Sequence, residues 1–242
     1  MTDVRRRDLL TGTAFVLMGT RAARAGIVAG SLPWAPEAGS PPTPVKQGPW
    51  LFFTAAEVAT MEALADRIIP PDPETPGGRQ AGCAVFLDRQ LAGPYGQAEG
   101  LYDQPPFEKG TKTQGPQSSA TPAELYRTAL AALDQYARSQ GASAWATLSA
   151  EHQDAALSGL ENGTIPLQGL DAQAFFATLV KDVKEGFFAD PLYGGNRDMC
   201  AWKMIGYPGA HYDYRDWVGR HNERYPHPPV SIMGRPGWTP KT

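Results

Sequence analysis

Helix-start signals followed by apolar residues at helical spacing restrict the fold of this chain more than any other feature. Thr54-Ala55-Ala56-Glu57 has the pattern of a capping box, in which a threonine and a glutamate three residues later satisfy each other's backbone amides. Behind it, apolar residues recur every three or four positions until Pro70-Pro71 stops the run. These residues are Val58, Met61, Leu64, Ala65 and Ile68. The spacing predicts a helix over 55–69, and such a helix needs other helices to bury its apolar stripe.

Four further segments show an apolar stripe with start or stop signals at its ends. They run over 83–91, 121–139, 149–162 and from Asp171 through Phe187. Thr121 is the clearest of these starts, because Pro122 follows it at the first helical position and Glu124 stands at the third. The stripe of the last helix consists of Phe175, Phe176, Leu179, Val180, Val183 and Phe187.

Between these segments no residues alternate with a period of two, which is the pattern of a half-buried strand. The sequence therefore predicts a mainly α fold, an irregular helical bundle with long Gly/Pro-rich loops such as 94–117. Residues 26–50 are rich in Gly, Pro and Ser, so we expect a flexible arm there. Residues 51–242 are expected to form a single helical domain with an extended C-terminal tail.

The first 25 residues have the order of an export signal. Arg6-Arg7-Asp8-Leu9-Leu10 matches the twin-arginine core, a weakly apolar stretch follows through Gly19, and Ala23-Arg24-Ala25 supplies a small-residue cleavage site. Arg6, Arg7, Leu9 and Leu10 are the residues that we assign to this signal. It predicts a periplasmic protein that the twin-arginine translocase exports in an already folded state.

Proteins use this route chiefly when a cofactor must be inserted before export, yet this chain has no cofactor motif. There is no Gly-x-Gly-x-x-Gly turn, no Cys-x-x-Cys-His haem attachment and no cysteine cluster for an iron–sulfur centre. We therefore expect the signal to serve a cofactor-loaded partner that leaves the cell attached to this chain.

Charge argues against nucleic acid as a partner, and hydropathy argues against direct insertion into a membrane. The formal net charge is −3, and no Lys/Arg run occurs outside the signal, so nucleic acid is not expected as a partner. No segment approaches the roughly 20 apolar residues of a spanning helix, so any association with a membrane is expected only through partners.

Two cysteines, Cys83 and Cys200, would enter an oxidising compartment. They could pair with each other, which would close a long loop and stabilise the fold by up to roughly 4–5 kcal/mol. One of them could instead pair with a cysteine of a partner, or both could be buried free thiols. The sequence leaves these three alternatives open, because it does not give the separation of the Cα atoms.

Several specific runs occur together over about residues 50–212. They include 63–70 (ALADRIIP), 86–91 (FLDRQL), 190–196 (DPLYGGN), Trp202 and 206–209 (GYPG). In this combination the chain resembles the gluconate 2-dehydrogenase subunit 3 family, the small subunits of periplasmic flavin dehydrogenases that oxidise sugars and sugar acids.

The resemblance implies an accessory subunit with no redox centre of its own. Its implied partners are a large dehydrogenase subunit that holds FAD and a multihaem cytochrome c subunit that holds haem c. The implied role of the small subunit is to support the folding and export of the large subunit. We accordingly assign no catalytic, cofactor-binding or metal-binding residue to this chain.

Aromatic residues of the glycine-rich C-terminal third are the candidates for contact with a partner. Tyr193, Trp202 and Tyr207 are predicted to form the partner interface, because aromatic side chains are enriched there, with packing in the core as the alternative. Asp190 and Asn196 flank a glycine turn, where short polar side chains more often cap backbone than bind a ligand.

Two rival functions stay open at this point. A periplasmic metal-dependent oxidoreductase would use the C-terminal histidines and the carboxylates near them, although their spacing matches no metal motif. These residues are His211, His221, His227, Asp213, Asp216 and Glu223. The second rival is a free-standing periplasmic scaffold protein without a flavoprotein partner.

Overall fold

A computed structural model describes residues 48–100, 105–108, 110–111, 118–211 and 214–232. The export-signal residues Arg6, Arg7, Leu9 and Leu10 lie outside the described residues, as does the arm as far as residue 47.

Six α-helices and no β-strand make up the regular structure of the described residues, which confirms the mainly α prediction. The helices are α1 (Ala55–Ile68), α2 (Cys83–Ala92), α3 (Pro122–Ser139), α4 (Ala150–Glu161), α5 (Ala172–Phe188) and α6 (Cys200–Ile205). Short 3-10 turns occur at Trp145–Thr147, Pro191–Tyr193, Arg197–Met199 and Arg215–Trp217. Within this part of the chain, no helix has both the length and the apolar character needed to cross a membrane.

The predicted caps form. At α1, the Glu57 carboxylate accepts from the Thr54 backbone N–H at 2.7 Å, and the Glu57 N–H donates to the Thr54 hydroxyl. Thr121 and Glu124 make the same reciprocal pair at α3. Side chains of Ser149 and Asp171 cap α4 and α5, as predicted. Each cap satisfies amide groups that the first helical turn leaves without a partner.

Helix α5 lies at the centre of the packing. It contacts α1, α2, α4 and α6, and the centre of its apolar stripe is buried, with Phe175, Leu179 and Val183 fully inaccessible to solvent. Trp145, between α3 and α4, is also fully buried and its turn contacts α1 and α3. The core therefore surrounds α5, and the C-terminal end of this helix leads directly into the glycine-rich segment.

Candidate docking surface

The chain turns sharply where α5 ends. The Asp190 carboxylate accepts from the Leu192 backbone N–H at 2.9 Å and so caps the short turn Pro191–Tyr193. A Cβ atom at Gly195 would collide with the carbonyl oxygen of Gly186 in α5. Only a glycine lets this turn lie directly on the helix.

Asn196 joins this turn to α6. Its side chain is fully buried, its Nδ2 donates to the Ala189 carbonyl at 2.9 Å, and its Oδ1 accepts from the Ala201 backbone N–H at 2.9 Å. Asn196 has a positive φ of 44°, and Asp198 and Met199 are also in the left-handed region. Both ends of the Asn196 amide therefore bind the protein itself, and they fix where α6 begins.

Trp202 lies beneath the surface, although the sequence made it a candidate for contact with a partner. Only 7% of it is exposed, and its indole Nε1 donates to the Phe188 carbonyl at 2.9 Å. The ring of Tyr207 meets the Trp202 ring edge to face, with 5.1 Å between centroids. Trp202 is thus a packing residue that holds Tyr207 at the surface.

The C-terminal tail returns to the same place. Asp190 also accepts from the Ser231 hydroxyl at 2.6 Å and from the Ile232 backbone N–H at 2.8 Å. Gly209 and Val230 pair in an isolated parallel bridge. The tail is therefore held against the body of the domain at residues 230–232.

Six large apolar side chains on the segments joined to these buried anchors are exposed to between 40% and 58%. They are Phe188, Tyr193, Met204, Ile205, Tyr207 and Ile232. Each belongs to a segment that is hydrogen-bonded to Trp202 or Asp190, or to the helix that contains Trp202. We call these six residues the docking face. Two of the three predicted interface residues, Tyr193 and Tyr207, lie on it.

Among the described residues, the C-terminal histidines do not form a metal-binding group with the nearby carboxylates. His211 and His227 both pack against the Tyr225 ring, whereas His221 is exposed. Of the carboxylates, Glu223 pairs with Arg220 at 3.8 Å, and Asp213 lies outside the described residues. Across the described parts of the chain, no group of three or more His, Cys, Asp or Glu side chains is placed to hold a metal ion.

Two buried carboxylates were not predicted from the sequence. Asp182 in α5 accepts hydrogen bonds from the hydroxyls of Tyr126 at 2.8 Å and Tyr95 at 3.1 Å. Burial, together with the charge of Asp182, raises the pKa of both tyrosines, so both stay protonated donors. Asp88 in α2 is fully buried and binds backbone amides of 51–53. A lone Asp at the end of an apolar run, as at 85–88, is the signal that would have found Asp88, whereas Asp182 follows Lys181 and has no such signal.

Comparison with known protein families matches more than half of this chain. The family model described as gluconate 2-dehydrogenase subunit 3 matches residues 55–209, from the start of α1 to the bridge at Gly209. The match includes five of the six docking-face residues, all except Ile232. Neither the curated proteins nor the solved structures gave a match.

Proposed function

Since the chain belongs to the gluconate 2-dehydrogenase subunit 3 family, we propose that it is the non-catalytic small subunit of a periplasmic flavin-dependent sugar or sugar-acid dehydrogenase. In this proposal the large subunit holds FAD, and a multihaem cytochrome c subunit holds haem c. The small subunit binds the large one in the cytoplasm, supports its folding, and brings the twin-arginine signal for both.

The docking face is the observation that carries this proposal. Scattered exposed apolar residues are ordinary, but a group of six on segments held by the buried Trp202 and Asp190 is typical of a surface that meets another protein. The face includes two tyrosines and a methionine, which are among the residue types enriched at interfaces. Asn196, Trp202 and Asp190 hold its backbone in place, so little order would have to be gained on binding.

Binding energy is the means by which such a subunit would act. A ligand that binds only the folded form of its partner stabilises that form, by about 2.7 kcal/mol at a concentration 100 times the Kd. A small subunit that binds the folded, FAD-loaded large subunit would therefore favour the state that the twin-arginine translocase accepts.

Alanine substitution on the docking face tests the proposed interface. We expect Tyr193→Ala and Tyr207→Ala each to weaken binding to the purified large subunit at least tenfold, because truncation of an interface aromatic costs about 2 kcal/mol or more. Leu51→Ala is the matched control, since Leu51 is 63% exposed and is not part of the docking face.

The measurement is the Kd of each variant for the immobilised large subunit, with the thermal unfolding midpoint of each variant as a check on folding. Equal Kd values for Tyr193→Ala, Tyr207→Ala and the control, with all variants folded, would show that the docking face does not bind the large subunit.

A further inference from the structure

The two cysteines stand at equivalent places in the fold, each as the first residue of a helix. Cys83 begins α2 and is fully buried, and Cys200 begins α6 and is half-buried. Both are free thiols in the structure. The question is whether the two helix starts lie close enough for these thiols to react with each other.

Backbone contacts bring the two starts together. The Arg197 N–H donates to the Ala81 carbonyl at 3.1 Å. Ala81 lies two residues before Cys83, and Arg197 lies three residues before Cys200. A Cβ atom at Gly82 would lie 2.7 Å from the Gly194 carbonyl oxygen and 2.8 Å from the Arg197 Nε. The residue before Cys83 therefore packs directly on the turn that leads to α6.

The position of Cys200 within this contact is also fixed. Its Sγ donates to Asn196 Oδ1 at 3.8 Å, and the same oxygen accepts from the backbone of Ala201. Asn196 is one residue before Arg197, which contacts both Ala81 and Gly82. The Cys200 thiol is thus held by the same turn that contacts the residues directly before α2.

The geometry points to an intramolecular disulfide between Cys83 and Cys200 in the exported protein. This bond would join α6 and the docking face covalently to α2. It depends on the proposed export only for the oxidising compartment, because the thiols of a cytosolic protein would be kept reduced.

Disulfide exchange would form the bond in two steps. The Cys200 thiolate, which is the more accessible one, attacks the disulfide of an oxidised thiol protein, and one donor thiolate leaves. The Cys83 thiolate then attacks Sγ of Cys200 and displaces the second donor thiolate. Two S–H bonds break and one S–S bond forms. Two electrons end on the donor, which takes up two protons as its disulfide becomes two thiols.

The second step would be slow at neutral pH. Burial is the largest cause that raises the pKa of the Cys83 thiol to about 12, and this cause persists in the mixed disulfide, where the Cys200 sulfur carries no charge. Since the thiolate is the nucleophile, the rate of closure should rise about tenfold for each pH unit below that value. In the reduced protein, the charge of Cys200 also raises the pKa of Cys83, which agrees with the backbone contacts that bring the two helix starts together.

The test uses the full chain, purified in reductant and then equilibrated in glutathione buffers of increasing oxidised fraction. Free thiols are alkylated in denaturant and counted by intact mass, and peptide mapping locates any bond. We expect two alkylated thiols in reducing buffer, none in oxidising buffer, and a linked pair of peptides that contain Cys83 and Cys200. The oxidised form should unfold roughly 10 °C higher than the reduced form.

Two single-thiol variants provide the matched comparison. Cys83→Ala keeps the accessible thiol and should accumulate a glutathione adduct at Cys200, the arrested first step. Cys200→Ser keeps only the buried thiol and should stay unmodified at neutral pH.

The possible outcomes distinguish the disulfide from the proposed function. Two free thiols in oxidising buffer, or a reducible link between either cysteine and the large subunit in protein isolated from the envelope, would overturn the intramolecular bond. Neither result depends on whether the docking-face variants bind the large subunit, so one proposal can fail while the other holds.

Discussion

Asp182 is the residue whose surroundings are least expected in a helical core. It lies in the buried stripe of α5 with only 2% exposed, and its Oδ2 accepts from Tyr126 and Tyr95. Its Oδ1 faces Lys181 Nζ at 3.6 Å, and Glu185 lies nearby. Burial raises the pKa of Asp182, and the hydrogen bonds and the lysine offset only part of this rise. The folded protein therefore holds a proton at Asp182 at pH values where the unfolded chain has lost it.

The raised pKa of Asp182 predicts a pH dependence of stability that Asp182→Asn removes. At pH values between 3.8 and the raised pKa of Asp182, the folded state binds more protons than the unfolded state. The free energy of unfolding therefore falls as pH rises through this range. It falls by about 1.4 kcal/mol for each pH unit that separates the folded and unfolded pKa values, and it is constant at higher pH. Urea unfolding of wild type and Asp182→Asn across this range measures the difference between their free energies.

Tyr126→Phe sharpens the same test. The Tyr126 hydroxyl lowers the pKa of Asp182 by donating to the carboxylate, so its removal should extend the fall to higher pH. A constant difference between wild type and Asp182→Asn at every pH would contradict the raised pKa.

At the scale of elements, the segment before α1 is fastened to α2. Asp88 accepts from the backbone N–H groups of Leu51, Phe52 and Phe53 at 2.9 to 3.0 Å. Arg127 of α3 hydrogen-bonds the Phe52 carbonyl and lies 3.9 Å over the Phe52 ring. The chain therefore enters the helical domain at a fixed point.

Asp88→Asn should weaken this attachment. The amide keeps one acceptor oxygen but turns an NH2 group toward an amide N–H or Arg89, so we expect a loss of about 1–3 kcal/mol. Asp154→Asn is the control, because Asp154 is half-exposed and pairs with Arg67 through two hydrogen bonds of 2.7 Å, an arrangement that contributes about 1 kcal/mol near the surface.

Urea unfolding midpoints measure the loss of stability in Asp88→Asn and in Asp154→Asn. Limited proteolysis at residues 50–53 reports whether the segment before α1 is released. If Asp88→Asn lost no more stability than Asp154→Asn and 50–53 stayed protected, the attachment would be unimportant.

The sequence predicts the bounds of some helices closely and misses others. The first five helices were predicted within one or two residues, because their caps and stripes are local features. Helix α6 was missed because it has six residues, too few to show a period, and follows three non-glycine residues with positive φ.

The docking face depends on how α5, α6 and the tail meet. Tyr193 and Tyr207 could be proposed for it, and packing in the core was an open alternative for Trp202, whereas the hydrogen bonds of Asp190 to the tail could not be foreseen.

For the whole molecule, the entry point of the chain, the core and the docking face are connected. The segment before α1 is fixed at Asp88, the helices surround α5, and the far end of α5 supports the docking face. A disulfide between Cys83 and Cys200 would join this face to α2, the same helix that holds the segment before α1.

The most direct test of joint export is to express the full chain and the large subunit together and measure the large subunit in the periplasm. Arg6→Lys combined with Arg7→Lys should leave both proteins in the cytoplasm, whereas Arg21→Lys, in the same leader but outside the twin-arginine core, should leave export normal. If the doubly substituted chain stayed inside while the FAD-loaded large subunit still reached the periplasm in normal amount, export as one complex would be wrong.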